Sequence, residues 1–199
     1  MELTADELDA LKELINIGVG NAAGMLNEMI QFPIQLEIPD IELLSSIELQ
    51  RELKERFGIE LLSVVQLAFS GSFSGSAQLL FPTESAVNLV SVLTGEDKAS
   101  LDLDSLKIST LSEVGNMVIN GVMGSISNVL DQPLDYAVPY YVEEEIEELL
   151  LKEQCLEYGT VLLAPAHFSI EELQIHGDIM LFFDVGSFKL LLKAIAAVS

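Results

Sequence analysis

Two stretches of this chain carry polar residues whose types and spacing suit chemistry on a water molecule. In DALKELIN, Asp9, Glu13 and Asn16 are followed by Pro39, and in STLSEVGN, one hundred residues later, Ser109, Glu113 and Asn116 are followed by Pro139. The proline stands 23 positions beyond the asparagine in both copies. Residues three and four apart are neighbours on a helix, so each set forms a polar row on one face. A carboxylate can pair with a cation, while a carboxamide both donates and accepts, so together they could hold a water against an electrophile. Neither is a strong nucleophile, which argues against covalent catalysis. An acid and an asparagine on a helix are ordinarily solvated surface, but repetition with the proline in register calls for more than that. Asp9 and Glu13 could in principle ligate Mg²⁺, yet Ser109 replaces the first acid in the second copy, so no metal of the protein's own is expected.

The elements that must position these rows follow from local signals. Thr4 with Glu7 three residues on is a capping-box pattern, which predicts a helix from about Thr4 to Met29, with a break near Gly24 left open. At about 100° per residue, Leu8, Leu11, Leu14, Ile15 and Gly18 fall on one side, and Asp9, Glu13, Asn16 and Gly20 on another. The glycines of NIGVGNAAG weaken a helix unless close packing recovers the loss. A strand is expected after Pro33, where Ile34, Leu36 and Ile38 alternate with Gln35 and Glu37. A short charged helix capped by Ser45 or Ser46 and ending at Gly58 comes next. A strand, a hairpin through GSFSGS and a helix closed by Gly95 complete the first half. GSFSGS lacks the lysine and following helix of a phosphate-binding loop.

GEDKASLDLDS reads as the connector between halves, and the same order then repeats. DQPLDYAVPYY mirrors QFPIQLEIP, and HGDIMLFFDVGSF aligns with SGSAQLLFPTESA at an offset of 102 residues. Repeats of about 100 residues are too long for solenoid units. The expected fold is therefore α/β (α+β), a single domain over 1–199 built from pseudo-repeats of about 1–98 and 99–199. Paired long helices would lie on a shared, mainly antiparallel sheet with an internal pseudo-two-fold.

Composition narrows the partners. The chain has 199 residues, half of them apolar, and 32 acids against 9 bases give a net charge of −23. Such a surface repels nucleic-acid phosphates and anionic lipid, so neither nucleic acid nor membrane is an expected partner. The apolar runs fall short of the roughly 20 residues that span a bilayer, and a cytoplasmic location is expected. Cys155 is alone and can form no internal disulfide. His167 and His176 make no familiar zinc pattern and read as structural. The acidic cluster Glu143, Glu144, Glu145, Glu147 and Glu148 reads as a solvated helix face.

The repeated motif, an Asp or Ser, three residues, Glu, two residues, Asn and a proline after 22 more, resembles that of the CheC family of chemotaxis phosphatases. Both copies fit it, NIGVGNAAG is also similar to the family, and the resemblance covers essentially the whole chain. Two intact motifs in one chain resemble the CheC branch rather than the single-motif, dimeric CheX or the longer FliY. The resemblance implies removal of the phosphoryl group from the aspartate of a phosphorylated CheY-type response regulator. It implies that Asn16 and Asn116 orient the attacking water and that Glu13 and Glu113 bind the regulator's lysine. Asp9, Ser109, Pro39 and Pro139 would support the motif. No cofactor of the chain's own is implied, since Mg²⁺ would belong to the regulator. A CheD partner, a receptor-modifying deamidase, is implied as well. The competing reading is a non-catalytic adaptor that binds a response regulator or CheD through the same helix faces.

Overall fold

A computed structural model describes residues 4–37, 41–58, 61–96, 103–145, 148, 160–184 and 190–195. The elements follow in the order α1 (Ala5–Ile30), β1 (Gln35–Glu37), β2 (Glu42–Ser45), α2 (Ser46–Phe57), β3 (Leu61–Gly71), β4 (Gly75–Pro82), α3 (Thr83–Thr94), α4 (Leu103–Leu130), β5 (Leu134–Tyr136), β6 (Tyr140–Glu145), β7 (Thr160–Ile170) and β8 (Ile175–Asp184). Helices lie on both faces of one antiparallel sheet, an α+β arrangement.

Local chemistry sets the helix ends. The Thr4 hydroxyl accepts from the Glu7 N–H while the Glu7 carboxylate accepts from the Thr4 N–H at 2.9 Å, and Ser45 with Glu48 repeats the device at α2. These reciprocal bonds satisfy donors that a helix start otherwise leaves open. α1 runs unbroken through Gly24 and stops where Gln31 turns left-handed. Gly95 closes α3 in the same conformation.

The sheet runs β1-β7-β8-β4-β3-β5, with β2 also on β7 and β6 also on β3. At its centre Gln78 of β4 faces Met180 of β8, the residue 102 positions later, which is the offset that relates these two segments in sequence. An internal two-fold therefore passes between them. The flanks obey it: Gln35 pairs with Ser169 as Asp135 pairs with Ser70, and Glu42 pairs with Leu163 as Val142 pairs with Val64. Each half thus lends its first strands to the other half's long hairpin.

Alternation along the strands feeds two cores. Val65, Leu67, Leu79, Phe81, Phe168, Ile179 and Leu181 pack beneath α1, α3 and α4, whereas Leu62, Val64, Leu80, Met180 and Phe182 meet Leu49 and Leu53 of α2 on the other face. The helices α1 and α4 cross closely at small residues: a Cβ on Gly18 would sit 3.0 Å from the Val122 carbonyl oxygen. Asn21 Nδ2 donates to Ser125 Oγ across the crossing at 2.9 Å. Contacts run in opposite order along the two helices, Gly18 meeting Val122 and Ile126 while Met29 shares a groove with Glu113, so the pair lies antiparallel.

One expectation needs correction. The acidic run is no helix face through Glu145: Glu143, Glu144 and Glu145 belong to β6, Glu144 is buried, and Glu143 accepts hydrogen bonds from Lys107 and Tyr141. The aromatic and β-branched start of YYVEEE and pairing with β3 outweigh the helical preference of glutamate. TVLLAPAHFSI forms one long strand, β7. Pro165 is tolerated because β7's outer neighbours, β2 and β1, pair with 160–163 and 167–169 and leave the proline between them. Glu147 of that run and the lone Cys155 fall outside the described residues.

Candidate functional site

The apolar stripe turns α1 so that Leu11, Leu14, Ile15, Gly18 and Val19 are buried, and this rotation leaves Asp9, Glu13 and Asn16 exposed. The Asn16 side chain makes no hydrogen bond to another described residue. Gly20 completes this row in open space, with no atom within 4 Å of a Cβ built on it. The first row is therefore a carboxylate and a carboxamide one turn apart, both standing in solvent.

The second row is built by α4 in the same way, with Leu111, Val114 and Val118 buried and Ser109 and Glu113 exposed. Ser109 Oγ donates back to the Leu106 carbonyl oxygen at 3.0 Å, so it caps its own turn rather than reaching outward. Asn116 is only half exposed, and its Oδ1 accepts a hydrogen bond from Asn120 Nδ2 at 2.8 Å. The other carboxamide atom of Asn120, Oδ1, is buried without a hydrogen-bond partner among the described residues. An open groove of about 340 Å³ flanks this row, lined by Met29, Leu93, Thr94, Ser109, Glu113 and Val114. Pro139 lies half-buried between β5 and β6, and Pro39 is outside the described residues.

α4 is anchored beside its row by charge. The ammonium of Lys107, 6 % exposed, bonds the Glu143 carboxylate of β6, which also accepts from Tyr141 at 2.8 Å and from Ser63 at 3.3 Å. Burial pushes the Glu143 carboxyl up, but the hydrogen bonds from Lys107 and Tyr141, the ammonium charge and the Ser63 bond outweigh it and hold the group below the usual range.

The two rows thus lie on one face of the sheet, each in the first half of its helix. Because α1 and α4 run antiparallel, they sit on opposite sides of the crossing. Asn120 is the neighbour that reading the motif alone overlooks; comparing the two copies would have flagged it, since Gly20 stands at the matching place.

On the face opposite α1 and α4, both histidines line an open cleft of about 350 Å³ with Arg56, Phe57 and Asp178. Arg56 and His167 converge on one oxygen of Asp178, which is 3 % exposed, and His176 Nδ1 meets the buried Ser85 hydroxyl at 3.1 Å. These are structural contacts, as expected for both.

A duplicated α+β protein with a carboxylate and a carboxamide on each of two crossed helices is the class that fold and site define. The sequence profile of the CheC-like family matches residues 7–43, which include the first row. The CheY-P phosphatase CheC of Bacillus subtilis is 27% identical over 140 residues, covering 67% of this chain and 65% of that protein. The flagellar motor switch phosphatase FliY of the same organism is 21% identical over 140 residues, covering 69% of this chain and 36% of its own length. The match thus spans under two thirds of both relatives. The crystal structure of Thermotoga maritima FliY superposes with a TM-score of 0.79 at 16% identity, covering 100% of both chains, which establishes the shared fold. The chain is thus similar to the CheC-like family over residues 7–43 and shares its fold with FliY.

Proposed function

We propose that the chain hydrolyses the aspartyl phosphate of a CheY-type response regulator. Water attacks phosphorus, the acyl-phosphate P–O bond breaks, and the regulator's aspartate leaves as a carboxylate together with inorganic phosphate and a proton. An acyl phosphate is already activated, so what accelerates its hydrolysis is a correctly placed water and stabilised charge rather than a new covalent intermediate. Asn16 and Asn116 orient that water. Glu13 and Glu113 pair with a lysine of the regulator, and the Mg²⁺ belongs to the regulator too.

One observation carries this reading: the carboxylate and carboxamide of the first row stand exposed, one helical turn apart, with the same types repeated on α4. A relative named as a CheY-P phosphatase supports the substrate class. The test is phosphate release from a panel of phosphorylated regulators, with Asn16→Ala and Asn116→Ala combined in one variant. Undiminished stimulation by a folded double variant rejects the proposal. The adaptor reading draws on the engaged state of Asn116, which is compatible with binding without turnover. Regulator binding that survives loss of both asparagines, with an inactive parent, selects it.

A further inference from the structure

We propose that Asn120 is a positioning residue that holds the second row's carboxamide in a withdrawn state, leaving the first row to carry more of the turnover. The kinetic part rests on the phosphatase reading above; the structural part does not.

The bond from Asn120 Nδ2 to Asn116 Oδ1 spans one turn of α4 at 2.8 Å. It takes one of the two lone pairs of that oxygen and turns the oxygen along the helix, so the Nδ2 donors face away from Asn120. A water whose lone pair is aimed at phosphorus has to donate its hydrogens, and the group on Asn116 that accepts them is this same oxygen. The half-buried state of Asn116, against the exposed state of Asn16, agrees with a carboxamide drawn down onto its helix.

Among the described residues, the bond to Asn116 is the side-chain hydrogen bond that Asn120 makes. Asparagine is a mediocre helix former, and the Oδ1 of Asn120 is buried with no partner among the described residues, a cost to the fold rather than a gain. The matching position of the first copy is Gly20, which offers no side chain to Asn16 and lies against open space. One row is latched and the other is not.

In an Asn16→Ala background, where only the second row turns over, Asn120→Ala and Asn120→Gly are expected to raise kcat about fivefold, the factor that one ordinary side-chain hydrogen bond is worth. KM for the phosphorylated regulator should stay within about twofold, because the docking surface is untouched. A bond that merely steadies α4 would shift the melting temperature and leave kcat alone. Unchanged or lowered kcat in both folded variants overturns the proposal. Side-chain amide NMR provides a reading independent of activity: Asn116 should be ordered in the parent and as mobile as Asn16 after Asn120→Ala. Equal mobility of Asn16 and Asn116 in the parent overturns it as well. If no regulator is dephosphorylated by the parent, the proposed function fails while the NMR comparison still decides the role of Asn120.

Discussion

The rows on α1 and α4 have the same spacing of acid and amide, but their surroundings differ at both ends. On α1 the start is fixed locally, by Thr4 and Glu7 in a capping box, and the row ends in Gly20 with nothing beside it. On α4 the position matching Glu7 is Lys107, which reaches into the fold and ties the helix to β6 through Glu143, and the row ends in Asn120 against Asn116. A duplicated motif therefore does not give duplicated surroundings. Type and spacing are common to the two rows; the neighbours one turn away are not.

Removing both carboxamides should erase the comparison altogether. Asn16→Ala with Asn116→Ala is expected to lower stimulated phosphate release about 100-fold or more, the loss typical of deleting a group that acts only on the reacting centre. Circular dichroism should show the fold intact, since neither side chain is core.

The anchors differ by a measurable stability. Glu143→Gln leaves a nearly buried ammonium without its carboxylate, and about 2 kcal/mol of destabilisation is expected, less than for a fully buried pair because Glu143 is itself 35% exposed. Because Glu143 is held below the ordinary glutamate range in the folded protein, the stability it contributes is complete above that range and is lost as pH falls through the folded value. Urea denaturation of parent and variant should accordingly differ at pH 7 and converge on strong acidification.

Installing the latch in the other row sharpens the contrast. In an Asn116→Ala background, Gly20→Asn should lower kcat about fivefold if the new side chain captures Asn16 as Asn120 captures Asn116. The space beside Gly20 admits the substitution. The smallest effect concerns the backbone: Gly20→Ala should stabilise the protein by up to about 1 kcal/mol, read from the urea midpoint, with turnover unchanged.

The sequence disclosed the repeat, the capping box at Thr4, a cap at Ser45 or Ser46, and the burial of Leu11, Leu14, Ile15 and Gly18, because these signals are local or periodic. The offset of 102 residues even anticipates the Gln78 and Met180 pairing at the centre of the sheet. Glu143 to Glu145 escaped, since their strand state depends on β3, a partner some eighty residues away. The hydrogen bond between Asn116 and Asn120 escaped for a different reason. An (i, i+4) pair is visible in the sequence, but only rotamers and burial reveal that the two amides engage each other.

The lending of opening strands between halves makes their stabilities inseparable. A chain severed between α3 and α4 would remain clasped, each fragment finishing the other's sheet, and the two pieces should recombine when mixed after denaturation. Either fragment alone would carry an unfilled β edge and would be drawn into self-association, so melting cannot proceed one half at a time.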